Sequence, residues 1–270
     1  MNKISRRKFI FSGLLTTLGL LLVNALFIER FFIELKEFLL ADKREGAVSI
    51  LQLSDLHLKG IKWKHRLLVD KINNLQPDLI VITGDAIDDK ENLPLLETFL
   101  ESLNLSIPKV AILGNWEYWG GVDLDKLKTL YRRQNCTLLI NRSRQYQVRN
   151  RSVAITGIDD LVGGKADYQQ AIRQLKASDY HIVLTHCPAH RDRIALEKGS
   201  EKIDLILSGH THGGQINLLG FAPFKPNGSG RYVKGWYREE GLDLFVSKGI
   251  GTSVLPFRFG ARAEVAVFYL

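Results

Sequence analysis

From Ala47 onward the chain alternates short runs of Val, Ile and Leu with stretches of helical spacing. The runs "AVSILQL", "DLIVITG", "KVAILG", "HIVLTH" and "DLILSGH" are apolar at most positions, the mark of strands buried on both faces. Such strands need helices to cover them. Residues near 65–75, 92–103, 123–134, 167–176 and 190–198 supply that pattern, so the fold class is α/β. Near the end "RYVKGWY", "LDLFVSKG" and "AEVAVFYL" follow one another without helices, predicting strands joined by turns and a mixed or two-sheet core. A chain of 270 residues with 45% hydrophobic content can bury one substantial core. The 24% of charged residues sets the bulk of it apart from multi-span membrane proteins and disordered chains.

The N-terminal segment differs. Phe9 to Ile28 carry no charge and follow the basic cluster Lys3, Arg6, Arg7 and Lys8. Twenty helical residues span roughly 30 Å, the thickness of a bilayer's hydrocarbon core. No A-x-A-like cleavage site follows, which favours an anchor over a leader that is removed. "SRRKFI" resembles a twin-arginine export signal, with a plain signal anchor as the alternative. The basic cluster keeps to the cytoplasmic side, which puts everything after Ile28 outside if the segment crosses; the cytoplasmic face is the alternative. The next stretch, "ERFFIELKEFLLADKRE", predicts an amphipathic helix lying on the membrane or packed on the domain. The chain therefore divides into an anchor with its helix over 1–45 and a globular domain over 46–270.

The net charge of +8 suits an anionic partner, lipid, nucleotide or nucleic acid, but four of the charges sit in the leader and the rest are spread thinly. Two cysteines, Cys136 and Cys187, are too few for a disulfide framework; buried thiols are the default, and one bridge is the alternative in an exported domain.

Function is written at the ends of the strands. "ILQL" leads to Asp55 and His57, "IVIT" to Gly84 and Asp85, "VAIL" to Gly114 and Asn115, "IVLT" to His186, and "LILS" to His210 and His212. In α/β sheets the loops beyond the carboxyl ends of the strands converge on one crevice. Carboxylates and imidazoles gathered there suit two divalent cations that grip a phosphoryl oxygen and lower the pKa of a bridging water. Mixed nitrogen and oxygen donors favour Mn, Fe or Zn over Mg or Ca. Holding both ions needs a shared carboxylate, for which Asp85 is the candidate. The spacing of two within Asp55/His57 and within His210/His212 projects each pair to one side of an extended segment. Gly84, Gly114 and Gly209 are read as permitting the turn before each ligand, and Gly213 and Gly214 as shaping the backbone.

These residues resemble the calcineurin-like metallophosphoesterases, whose pattern runs D-x-H, G-D, G-N-H-[E/D], H, G-H-x-H. The resemblance covers residue 48 to the C-terminus, and the leader and the ending are similar to a bacterial membrane-associated branch. It implies a four-layer αββα sandwich preceded by an N-terminal membrane helix. It also implies one metal held by Asp55, His57, Asp85 and His212 and a second by Asp85, Asn115, His186 and His210, with Asp85, Asn115 and His210 as catalytic residues and a metal-bridging hydroxide as the attacking group.

One position departs from the pattern. Trp116 stands where the family has a histidine, and an indole neither gives nor takes a proton at useful pH. General acid help is worth about 10²- to 10⁴-fold, and its loss matters least when the leaving group is a weak base. Cleavage of an activated diester or a phosphoanhydride is therefore expected. The UDP-2,3-diacylglucosamine pyrophosphatases also lack this histidine, which suggests a nucleotide-linked lipid; their cytoplasmic substrate argues against an exported domain. Trp116 and Trp119 either wall the substrate site or pack under the loop. Arg258 and Arg262 are each a substrate clamp or a surface charge, and the run Lys59 to Arg66 flanks the crevice or starts a solvated helix. His65, His181 and His190 have no place in the pattern and are read as surface or structural. A nuclease ranks lower, since no basic-aromatic stripe accompanies the site. A non-catalytic docking protein that keeps the fold is the other alternative; retention of all seven ligand positions weighs against it.

Overall fold

The computed structural model describes residues 5–42, 45–239 and 241–270. Lys3 of the basic cluster, and Lys43 and Arg44 of the segment after the apolar helix, lie outside the described residues. In chain order, the first half contains α1 (Arg6–Val23), a π turn (Asn24–Ile28), α2 (Glu29–Phe31), β1 (Glu34–Leu39), β2 (Ser49–Leu53), α3 (Trp63–Leu75), β3 (Leu79–Thr83), α4 (Leu93–Glu101) and β4 (Lys109–Ile112). There follow α5 (Asn115–Trp119), α6 (Leu124–Arg133), β5 (Cys136–Leu138), β6 (Arg142–Val148), β7 (Arg151–Gly157), α7 (Tyr168–Ile172) and β8 (Tyr180–Leu184). The last part holds α8 (His190–Glu197), β9 (Leu205–Ser208), β10 (Gly235–Glu239), β11 (Leu242–Val246) and β12 (Glu264–Tyr269).

The strands form two six-stranded sheets, ordered β1-β12-β2-β3-β4-β5 and β10-β11-β9-β8-β7-β6. β2, β3, β4 and β5 run parallel, as do β7, β8, β9 and β11. Side chains alternate across each strand, which decides the layers. Ile50, Leu79, Val81, Val110, Ile112 and Phe268 of the first sheet face Ile155, Ile182, Leu184, Leu207 and Phe245 of the second in the core between the sheets. Leu51, Leu53, Ile80 and Ile82 turn the other way, onto Leu68 and Ile72 of α3, Phe99 of α4 and Leu127 of α6. Val183, Ile206 and Leu244 pack on Tyr168 of α7 and Ile194 of α8. The result is the four-layer αββα sandwich. A polar contact is buried in the central layer: Gln52 Nε2 donates to Thr83 Oγ1 at 3.0 Å and across to Ser208 O at 2.9 Å, tying one sheet to the other.

The N-terminal region corrects one expectation. The stretch read as an amphipathic helix contributes only the short α2 and then turns into β1, which pairs in parallel with β12 from Glu34↔Glu264 to Leu39↔Tyr269. The free edge of β12 offers backbone partners that an isolated helix cannot match, and the alternating Leu35 and Phe38 pack on opposite sides of the sheet. The sheet thus begins ahead of the boundary drawn near residue 45.

Strand β6, "RSRQYQV", is invisible to apolar patterning because it is a half-exposed edge strand. Helix α1 is apolar and exposed along its length, with no buried residue. Arg6–Phe31 is long and apolar enough to cross a membrane. Its far end is fastened to the domain: Arg258 N donates to Ala25 O at 3.1 Å and Ala263 N to Glu29 O at 2.8 Å. The Glu29 carboxylate accepts from Gly260 N at 3.0 Å and Ala261 N at 2.9 Å.

Phe268 is fully buried between the sheets and packs its ring within 5.5 Å of Phe38 and 5.2 Å of Phe245. Phe268→Ala should destabilise the protein by about 3–5 kcal/mol. Chemical denaturation in detergent checks this, and an unchanged midpoint would show that the central layer does not carry the packing.

Candidate metal centre

The parallel strands of both sheets deliver their carboxyl ends to one place. Asp55 and His57 follow β2, Asp85 follows β3, and Asn115 opens α5 after β4. From the second sheet, His186 follows β8, while His210 and His212 follow β9. All seven side chains are buried. They gather into two groups that could each hold a metal ion, Asp55 with His57 and His212, and Asp85 with His186 and His210. Each group draws on both sheets.

His210 and His212 therefore part company, against the expectation that residues two apart face one side. The extended backbone assumed for them is absent: φ is 72° at His210 and 50° at His212, and likewise 49°, 43° and 51° at Asp55, His57 and Asp85. Left-handed turns place alternate side chains in different directions, so the periodicity of a strand does not apply. Nor do Gly114 and Gly209 serve to make a turn. They permit close approach, since a Cβ on Gly114 would lie 2.2 Å from Asp85 Oδ1, and one on Gly209 only 2.3 Å from Asp55 Oδ2.

The donor atoms converge. His57 Nε2 lies 3.0 Å from His212 Nε2, and His210 Nδ1 lies 3.1 Å from His186 Nε2. Asp85 Oδ2 is 3.1 Å from His186 Nε2 and 3.7 Å from His57 Nε2, so a single carboxylate reaches both groups. The outward nitrogens are engaged: His57 Nδ1 with Asp88, His186 Nδ1 with Thr83 O at 2.8 Å, and His210 Nε2 with Asn227 O at 2.7 Å. A carbonyl or carboxylate partner takes the ring N–H and leaves the inner nitrogen as a lone pair. Lone pairs aimed at one another at such distances call for a cation between them. Asn115 Oδ1 is buried without a hydrogen-bond partner, a further donor with nothing but the centre to serve. The residues thus fit two divalent ions.

Glu117 was missed as a functional residue, although it occupies the last position of the G-N-H-[E/D] pattern. Its carboxylate accepts from Asp85 N at 3.1 Å, Ala86 N at 2.7 Å and Gly114 N at 2.8 Å, locking the turns after β3 and β4 together. Burial, and then the charge of Asp85, push its carboxyl up to about 7. Asp88 was also missed; it holds His57 and is itself paired with Lys59 at 2.7 Å. The sequence signal for Glu117 is its place in that pattern; for Asp88 it is no more than an acidic residue three positions after a ligand.

Arg258 is neither a substrate clamp nor a surface charge. It is fully buried behind His212, its guanidinium donating to Gly251 O, Lys248 O and Ala261 O and lying 3.3 Å from His212 Nδ1. Arg262 donates to Phe32 O at 2.7 Å, at the foot of the apolar helix. Lys64, in the basic run, is buried and donates to Ile250 O, so that part of the run is structural. His65, His181 and His190 are all buried, which leaves the structural reading. Both cysteines are buried and free.

A cleft of about 460 Å³ opens over the centre, floored by Asp85, Asn115 and His210. Its walls are apolar, with Trp116 and Trp119 on one side and Phe224, Val254 and Leu255 among the rest. Trp116 stands edge-on between His57, at 6.2 Å, and Trp119, at 5.6 Å.

A family model described as calcineurin-like phosphoesterase matches residues 48–214. The chain belongs to that family. It is 32% identical to the uncharacterized metallophosphoesterase YkuE of Bacillus subtilis, over 100% of this chain and 99% of the relative. It is 32% identical to YkoQ of the same organism, over 83% of this chain and 86% of the relative. A dimetal phosphatase from Danio rerio superposes with a TM-score of 0.51 at 10% identity, covering 83% of this chain and 99% of the other, a likeness of fold alone. Family and paired clusters together make this calcineurin-like protein a metal-dependent phosphoesterase.

Removing the group that orients His57 tests the paired design. Asp88→Ala is expected to weaken metal binding by roughly 10- to 100-fold, the usual effect of losing an outer-shell partner. Metal titration of the phosphoesterase followed by elemental analysis measures it; unaltered affinity would mean that Asp88 does not set the ring.

Proposed function

We propose that this phosphoesterase hydrolyses a phosphodiester or phosphoanhydride whose leaving group is a weak base, at a two-metal centre presented by a membrane-anchored domain. The observation that carries this reading is the position of Asp85 Oδ2, within 3.1 Å of His186 Nε2 and 3.7 Å of His57 Nε2. Asp55, His57, Asp85 and His212 would hold one ion, and Asp85, Asn115, His186 and His210 the other. Two such ions supply Lewis acidity toward a phosphoryl oxygen and lower the pKa of water between them. Mn, Fe or Zn suits the mixed donor set.

The chain's own residues do the rest. Asp85 is oriented by its own neighbours: its Oδ1 accepts from Trp116 N at 2.9 Å, which turns Oδ2 toward both groups. His210 keeps its Nδ1 toward the centre because its Nε2–H is tied to Asn227 O. Trp116 covers the approach to His57 and carries no exchangeable acid at this position. With no proton to offer the departing oxygen, the site favours a phosphate, nucleotide or aryl leaving group over an alkoxide. The apolar walls of the cleft support a substrate with a hydrocarbon or base portion beside its phosphorus. A nucleotide-linked lipid such as UDP-2,3-diacylglucosamine has that form.

The N-terminal helix supports attachment to a membrane, and "SRRKFI" supports export of the folded domain with everything after Ile28 outside, in which case the substrate is an extracytoplasmic phosphoester; cleavage of UDP-2,3-diacylglucosamine requires the alternative, a domain on the cytoplasmic face. On this reading the domain includes β1, whose pairing with β12 supports a boundary ahead of residue 45.

Turnover by the metal-loaded full-length protein against monoesters, aryl and alkyl diesters, nucleotides and UDP-2,3-diacylglucosamine tests the reading. Aryl diesters or anhydrides should be cleaved and simple alkyl esters should lag; a flat response with both metals bound would sink it. Asp85→Asn should cost more than His57→Ala, and more than the roughly 10- to 100-fold of an outer-shell change. Activity of Asp85→Asn equal to that of a distant surface variant would remove Asp85 from its role.

A further inference from the structure

The rim of the cleft carries more exposed hydrocarbon than a water-facing loop should. Phe221 and Phe224 are 67% and 70% exposed, Val254 is 83% exposed, and Leu219 is fully exposed. Leu218 and Phe221 exchange backbone hydrogen bonds at 2.8 and 3.0 Å, so Leu219 and Gly220 form the tip of a tight turn. Leu219 holds φ at 52° there, a conformation in which Asn, Asp or Gly is usual. A large apolar residue kept in a left-handed turn and pointed outward serves neither local conformation nor the core. Exposed hydrocarbon on loops that also line the cleft, through Phe224, Val254 and Leu255, marks a binding face.

The same rim is wired to the foot of the apolar helix. Gln215 Nε2 donates to Leu255 O at 2.7 Å, joining the two rim loops. Asn217 N donates to Phe259 O at 2.7 Å, and Phe259 N to Gln215 O at 2.9 Å. The neighbours of Phe259, namely Arg258, Gly260 and Ala261, are the residues that bind Ala25 O and the Glu29 carboxylate at the helix end. On the other side of that end lies a belt of aromatic and basic side chains. Phe31 stacks on Trp63 at 6.1 Å, Phe32 meets the same ring at 5.5 Å, and Arg30, Lys62 and Lys64 sit 5.0, 5.8 and 5.8 Å from the Phe31 ring. Aromatic and basic residues at the end of an apolar helix mark the membrane–water interface.

We propose that the rim loops, Leu218 to Phe224 and Val254 to Leu255, dock into the surface of the bilayer that α1 occupies, so that the cleft opens onto that membrane and admits the phosphoester of an amphiphile from it. The occupant of the apolar rim is lipid. The proposal rests on the phosphoesterase reading only for the consequence drawn about substrate; the docking itself is read without turnover, so either can fail alone.

The test uses the full chain in lipid nanodiscs, with single cysteines introduced as Leu219→Cys or Phe221→Cys and labelled with an environment-sensitive fluorophore. Native Cys136 and Cys187 are 4% and 0% exposed and do not compete for label. Leu15→Cys in α1 reports the inserted helix, and Leu196→Cys on α8, 88% exposed, reports a face in water. Metal content equal to the unmodified protein verifies the fold of each variant. Quenching of the 219 and 221 labels by doxyl lipids, several-fold above that at 196 and approaching that at 15, is the expected result. Water-like emission at 219 and 221 while 15 is quenched overturns the proposal, as does shielding at 219 without lipid quenching, which would indicate a protein partner. Failure of the 15 label to be quenched also overturns it, because the bilayer is then not the helix's environment.

Discussion

Five residues of the centre sit with a left-handed backbone, and the surrounding structure exists in large part to keep them there. Non-glycine residues in this region cost on the order of 1–3 kcal/mol each and persist only when their neighbours over-determine them. Here the turns after the strands are laced to one another. Asp55 N donates to Gly84 O and His57 N to Asp85 O, both at 3.1 Å, which extends the β2–β3 pairing past the end of the strands. His210 N, from the other sheet, donates to the Asp55 carboxylate at 3.0 Å. Gly251 N donates to Asp55 O at 2.7 Å from a third side. Glu117 closes the set by accepting from both the Asp85 and the Gly114 turns. Pre-organisation of this kind offsets the repulsion of lone pairs and carboxylates brought within about a hydrogen-bond length.

The packing of the two sheets is part of the same device. The first sheet supplies Asp55, His57, Asp85 and Asn115, the second His186, His210 and His212, and neither group of potential ligands is complete on one sheet. Whatever holds the sheets in register therefore sets the separation of the donor atoms. Apolar side chains such as Phe245 and Phe268 fill the layer but are tolerant of sliding; a hydrogen bond is not. Gln52, reaching from β2 to Ser208 O at the end of β9, sits one turn of chain from Asp55 on one side and from His210 on the other. A buried polar tie at that place buys registration where the chemistry needs it.

How far the residues could be read without the structure follows from which forces are local. The strands leading to the ligands are legible because burial on both faces leaves uninterrupted Val, Ile and Leu, and the ligands are legible because they follow those runs directly. Strand β1 is not, since its pattern of alternating charge and hydrocarbon suits a surface helix equally well, and only the open edge of β12 decides the matter. The division of His210 from His212 is invisible for a related reason: spacing implies a direction only if the backbone conformation is known. Glu117 and Asp88 act through other residues, so their types alone carry no chemistry. Arg258 was ambiguous by charge, and its burial depends on carbonyls drawn from Lys248, Gly251 and Ala261, which no local window contains.

Those same carbonyls show that the helix foot and the centre are one construction. Arg258 holds the helix end by donating its backbone N–H to Ala25 O, and with its guanidinium it gathers the Lys248 and Gly251 carbonyls beside Asp55 and His57. Glu264, the first residue of β12, pairs with Lys36 of β1 at 3.1 Å and with Lys248 at 2.9 Å, while its Oε1 accepts from Lys248 N. An anchor joined to its domain by a flexible linker lets the site sample any direction. Here the apolar segment passes into a strand of the first sheet within a few residues, and its end is hydrogen-bonded to the loop behind His212. The orientation of the cleft relative to the helix is then a property of the fold.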